Sequence, residues 1–88
     1  MTYTVVLQRE DDGRYSVFVP ALRGCNTWGH TIAHALEMAH EAICAHVGVL
    51  VEDGEAIPED TPQVTLDMEE TSEALVCKVT VAEVVPVG

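Results

Sequence analysis

Positive charge is scarce in this chain of 88 residues: four Lys and Arg stand against 15 Asp and Glu, for a formal charge of −11. So few cations neutralise few phosphates, which argues against direct nucleic-acid binding, and an anionic membrane surface would repel the protein. Cysteine is sparse as well. Cys25, Cys44 and Cys77 are odd in number, widely spaced and without a Cys-x-x-Cys pair, so neither a disulfide framework nor a structural zinc site is expected. No run approaches the roughly 18 apolar residues of a membrane span. Met1 to Val6 lacks a basic segment followed by an apolar core, so no leader is expected and the cytoplasm is the expected compartment. No linker, repeat or low-complexity tract divides the sequence, and residues 1–88 are read as one domain.

An apolar content of 48% with 22% charged residues is that of a globular fold. A chain of this size buries only roughly 60% of its unfolded surface, which favours self-association. Tyr3, Val5 and Leu7 alternate with Thr4, Val6 and Gln8, and Tyr15, Val17 and Val19 alternate with Arg14, Ser16 and Phe18, the two-residue period of strands. Glu10-Asp11-Asp12-Gly13 between them supplies a glycine where a hairpin needs positive φ. Pro20 ends the second strand, Gly24 marks a bend, and Cys25 to Trp28 reads as a short third strand. Gly29 is expected to let the chain turn into a helix.

The period then changes. Ile32, Leu36, Ala39, Ile43, Val47 and Leu50 recur at helical spacing, with His34, Glu37 and Glu41 on the opposite side, predicting a helix over about residues 32–51. Thr31 suits its N-cap and Gly54 its terminator. Residues 55–62 read as a loop around Pro58 and Pro62, and residues 63–68 and 74–85 as strand, in one piece or two. The order predicts an α+β fold, β-β-β-α-β: an antiparallel meander, one helix packed on a sheet face, and a late strand beside the first, in spatial order 3-2-1-4. The open sheet face or the long last strand invites a second copy, so a homodimer is expected.

Several short motifs occur in a fixed order: Tyr3-x-Val5, the acidic turn ending in Gly13, Tyr15-x-Val17-x-Val19-Pro20, and Gly24-Cys25-x-Thr27-x-Gly29-x-Thr31. Ala35-Leu36, Glu41-Ala42-Ile43 and Glu52-Asp53-Gly54-Glu55-x-Ile57-Pro58 follow. Together they resemble the HicB-like antitoxin family. The resemblance implies a partial RNase H-like fold and a place in a type II toxin–antitoxin pair. There the partner is a small basic HicA-like toxin, an mRNA-cleaving ribonuclease whose active site the antitoxin blocks. Many members carry a C-terminal DNA-binding domain. This chain, ending at Gly88, is expected to have none. It departs from the family pattern at Ala21 and Arg23, and at His30 and His34, where acids are usual. At those helix-start positions histidine is expected to forfeit a capping and dipole benefit.

An RNase H-like fold raises the question of nuclease activity, which would require clustered carboxylates holding metal ions. The stretches Tyr3–Gln8, Arg14–Val19 and Cys25–Trp28 contain no Asp or Glu, so no catalysis and no cofactor are expected. His34, Glu37 and Glu41 share the polar helix side, where a solvated surface is the reading rather than a metal site. Cys44 follows His40 by four residues, a spacing at which thiol and imidazole meet, but nothing in the sequence orients the ring. His46 reads as a half-buried structural side chain.

The acids are more informative. Glu52 to Glu73 holds nine of them and no Lys or Arg, a surface complementary to a basic RNA-binding partner. A merely solubilising surface has the same composition. Candidate partner-binding residues are Glu10, Asp11 and Asp12 in the turn, Trp28 and His30 at the helix start, and Glu59, Asp60, Glu69 and Glu70. Trp28 serves equally as an interface anchor or a core residue. The functional expectation is an antitoxin module binding a HicA-like ribonuclease; the alternative is an orphan homo-oligomeric scaffold or small-ligand protein.

Overall fold

A central strand organises the molecule. In the computed structural model, which describes residues 1–61 and 74–82, β1 (Thr2–Arg9) lies between β2 (Tyr15–Phe18) and β4 (Ala74–Thr80), and β3 (Asn26–Gly29) flanks β2. The sheet order is β3-β2-β1-β4 with every pairing antiparallel, and the helix α1 (Ile32–Glu52) joins β3 to β4. This is the β-β-β-α-β arrangement and the 3-2-1-4 order expected from the periodicities. Of the later expected strands, residues 74–80 form β4, whereas residues 63–68 and 83–85 lie outside the described residues.

The register fixes which side chains meet. Val6 stands opposite Phe18 and Val76, and Leu7 opposite Val17 and Leu75. Tyr3, Val5, Leu7 and Val17 point toward the helix and join Ala35, Ala39, Ile43 and Val47 in the core. The helix thus buries an unbroken i, i+4 row, with two alanines at its N-terminal half that let it lie close to the sheet. Ile32 departs from the expected apolar stripe. It is 42% exposed, because the row that faces the strands begins at Ala35 and continues through Ala39, Ile43 and Val47. Leu22, from the turn after β2, is buried instead.

Local chemistry sets the boundaries. Gly13 adopts φ +89° and closes the β1–β2 hairpin, its N–H donating to the Glu10 carbonyl at 3.0 Å. Thr31 caps α1, its Oγ1 accepting from the His34 N–H at 3.0 Å. At the other end Gly54 donates to the Val51 carbonyl at 3.1 Å and Glu55 to that of Leu50 at 2.9 Å, the paired bonds of a Schellman cap.

Gly29 has a different function from the expected turn. It is the last residue of β3, and a Cβ there would lie 2.4 Å from the Ala35 amide nitrogen and 2.6 Å from its Cα. Only glycine lets strand and helix approach so closely. No helix among the described residues is long and apolar enough to cross a membrane.

Candidate functional site

Two polar constellations lie at opposite ends of β1. The first is an open groove of about 590 Å³ beside the β1–β2 hairpin, lined by Glu10, Asp11, Asp12, Arg14, Ser16 and Trp28 among others. Alternation along the strands explains the gathering: Ser16 pairs with Trp28 across β2 and β3, so their side chains share one sheet face, on the side away from the helix. The Ser16 hydroxyl donates to Glu10 Oε1 at 2.7 Å. Arg14 donates through Nε to Asp12 Oδ2 at 2.7 Å, and its guanidinium lies 5.2 Å from the centre of the Trp28 ring. The Arg14 amide, with its guanidinium, holds the Asp12 carboxyl below the usual carboxylate range against the opposing effect of desolvation.

The contacts continue into the helix start. Trp28 meets His30 edge-on at 5.0 Å, and His30 stacks on His34 at 5.5 Å with the rings only 10° from parallel. The His30 N–H donates to His34 Nδ1 at 3.0 Å. His34 therefore does not forfeit the capping role: its ring supplies the acceptor that an acid would supply in a capping box, one residue further back along the chain. Trp28 is 46% exposed, which settles its place at the surface. Of the candidate residues, Glu10, Asp11, Asp12, Trp28 and His30 thus stand together.

The second constellation surrounds Asp60. Its Oδ1 accepts from the Thr4 N–H at 2.7 Å, and its Oδ2 from Thr4 Oγ1 at 2.9 Å and from Lys78 Nζ at 2.7 Å. Lys78 also donates to Thr4 Oγ1. Next to it, the Tyr3 hydroxyl donates to the Pro58 carbonyl at 2.6 Å. Desolvation acts to raise the Asp60 pKa, but the hydrogen bonds from Lys78 and Thr4 prevail and bring it down to about 2. Burial, with the Asp60 charge nearby, raises that of the Tyr3 phenol. This cluster fastens the loop after α1 onto β1 and β4. Glu59 beside it is exposed. Thr4 and Glu10 are six residues apart on an extended strand, or about 20 Å, so the candidate acids fall on two separate surfaces. Glu69 and Glu70 lie outside the described residues.

Other reactive groups stand apart from both clusters. Cys44 Sγ and His40 Nδ1 meet at 3.9 Å, as their spacing implied, on the helix flank. Cys25 is buried, and desolvation raises its thiol pKa. Among the described residues no three His, Cys, Asp or Glu side chains are placed to hold a metal ion. Sequence reasoning missed Arg14, Ser16, Thr4 and Lys78, whose roles come from cross-strand register; the only signal available was that Arg14 and Lys78 are two of four cations.

Among the described residues, a three-stranded meander widened by β4 alongside β1, with one covering helix and an acidic, aromatic surface groove, defines a small α+β module. Residues 3–86 match the family described as HicB_like antitoxin of bacterial toxin-antitoxin system. The chain belongs to that family. It is 44% identical over 63 residues to a UPF0150 protein of Thermoplasma acidophilum, covering 72% of this chain and 91% of that one. With a UPF0150 protein of Synechocystis it shares 36% identity over 58 residues, 66% of this chain and 73% of the other. The N-terminal domain of the Burkholderia pseudomallei antitoxin HicB superposes with a TM-score of 0.70 at 29% identity, over 94% of this chain and 100% of that domain. A chain of a toxin–antitoxin complex from Streptococcus pneumoniae gives 0.80 at 25% identity, over 93% and 69%.

Proposed function

We propose that this protein is a non-catalytic antitoxin module that neutralises a small basic HicA-like ribonuclease by binding it, using the hairpin groove as its docking surface. The observation that carries this reading is the exposed Trp28 beside three acids, Glu10, Asp11 and Asp12, in a member of an antitoxin family. Trp is the side chain most often found at the energetic centre of an interface, and its neighbours' charge complements a protein that must itself bind RNA. The solved relative from Streptococcus pneumoniae is part of a toxin–antitoxin complex, which supports a protein partner. The reading includes no cofactor, no direct nucleic-acid contact and action in the cytoplasm.

The test is coexpression with a small basic protein encoded beside this chain, followed by copurification and an RNA-cleavage assay. Stoichiometric copurification with suppressed cleavage is the expected result. An active nuclease in the presence of excess purified chain would refute the reading.

One observation favours self-association, whether alongside that activity or in place of it. β4 is an outer strand of the described sheet and exposes Leu75 and Val76, at 41% and 48%. Such an edge is a template for a second copy, and a homodimer is proposed on that ground. A chain that forms only its own oligomer and ignores the neighbouring ribonuclease would be an orphan scaffold.

A further inference from the structure

The start of α1 holds a histidine whose ring works only in one protonation state. His34 Nδ1 accepts the His30 N–H at 3.0 Å, while the His34 N–H donates to the Thr31 cap at 3.0 Å. A ring nitrogen that accepts a hydrogen bond carries no proton, so His34 holds this position as neutral imidazole. Protonation removes the acceptor. It also places a cation at the positive end of the helix dipole and against the stacked His30 ring, 5.5 Å away.

The charged groups around the pair do not offset this. The hairpin just before β2 brings another cation, Arg14, lying on Trp28. Of the hairpin acids that line the groove, Asp12 is committed to Arg14, Glu10 accepts from the Ser16 hydroxyl, and Asp11 is exposed to solvent. β3 contributes Trp28, which is uncharged, and the first helical turn contains no acid. Glu37, three residues beyond His34, is exposed, and an exposed pair at that spacing is worth less than the lost hydrogen bond and the dipole penalty together. Histidine is also the side chain whose charge changes within the physiological pH range.

We infer that His30 and His34 form a pH-sensitive latch on the Trp28 groove, closed while His34 is neutral and opened when it takes a proton. In the closed state the stacked rings hold the edge of Trp28, at 5.0 Å from His30, and so preorganise the groove. In the open state the His30 N–H loses its acceptor, the rings separate, and Trp28 is free to reorient. Acidification therefore weakens partner docking. This inference rests on the groove being the docking surface, but the latch itself is measurable in the isolated chain.

The experiment follows the His30 backbone amide by NMR in the full chain from about pH 7.5 to about pH 5.5, beside the emission of Trp28, the chain's one tryptophan. His34→Asn puts an amide oxygen in place of the Nδ1 acceptor without a titrating group, and His30→Phe keeps the stack while leaving His34 as the one titrating ring of the pair. The wild-type amide is expected to shift in a main step that persists in His30→Phe and vanishes in His34→Asn. Affinity for the coexpressed ribonuclease is expected to fall about tenfold over this range in wild type, and less than about twofold in His34→Asn. An amide that does not titrate, or that titrates identically in His34→Asn, overturns the latch. An intact amide titration in a chain that binds no ribonuclease at any pH supports the latch and overturns the docking reading instead.

Discussion

Asp60 closes the edge of β1 by accepting both the N–H and the hydroxyl of Thr4, 56 residues away, at 2.7 and 2.9 Å. β2 reaches only as far along β1 as Val6, so the Thr4 amide has no strand partner on that side. A carboxylate does what the missing strand would do. Lys78, across the other edge on β4, then balances its charge.

Asp60→Ala is expected to destabilise the fold by about 2 kcal/mol, since it leaves a buried hydroxyl and amide without their charged acceptor. The same bond makes stability acid-sensitive. With the native pKa lowered to about 2, the carboxylate's contribution is fully present above the ordinary Asp value of 3.8 and is lost as pH falls from there through about 2. Because the Asp60 side chain is 23% exposed and Lys78 more so, solvent screening limits this share to about 1 kcal/mol. Chemical denaturation at neutral pH and near pH 2 measures both quantities. An Asp60→Asn variant with the wild-type acid dependence would contradict the assignment.

Gly29→Ala forces a methyl against the Ala35 backbone, 2.4 Å from its amide nitrogen, so strand and helix must part. A loss of about 2–3 kcal/mol is expected, seen as a lowered melting temperature. A change smaller than about 0.5 kcal/mol would mean that the approach is not close in solution.

Trp28→Ala separates binding from stability. The side chain is largely at the surface, so the fold should lose less than about 1 kcal/mol, while affinity for the ribonuclease should fall by about 2 kcal/mol. Asp11→Lys should weaken the complex and flatten its salt dependence. Titration calorimetry at two salt concentrations reads both effects, and unchanged affinity in both variants would exclude the hairpin groove. Charge reversal at Asp60 is a poor probe of the interface, because it would disturb the Thr4 clamp first.

His34→Glu is expected to stabilise the helix by only about 0.3–0.5 kcal/mol at neutral pH. The imidazole already supplies the capping acceptor, so the gain is confined to the acid's interaction with the helix dipole. Thr31→Ala, which removes the acceptor of the His34 N–H, should cost about 1 kcal/mol. Thermal melts of the two variants check the comparison, and a gain well above 1 kcal/mol for His34→Glu would show that the ring acceptor contributes nothing.

Alternation from Tyr3 to Gln8, the shift to helical spacing after Thr31, and the turn glycines Gly13 and Gly54 were sufficient for the element order and even the sheet order. These are properties of neighbouring residues, and strand period, helix period and caps are decided within a few positions of the chain. The motif order likewise carried the family. The same local rules placed Ile32 on the apolar stripe and gave Gly29 a turn, because neither the helix row that meets the strands nor the distance to Ala35 exists in a linear pattern. Along the chain the candidate acids fall in the hairpin turn and in the segment after the helix, and the linear pattern does not choose among these and the Trp28 helix entrance. Folding divides them, bringing Glu10, Asp11 and Asp12 to Trp28 at one end of β1 and drawing Asp60 into a bond with Thr4 at the other. That division depends on cross-strand register and on contacts between residues dozens of positions apart, so the tertiary structure alone decided it.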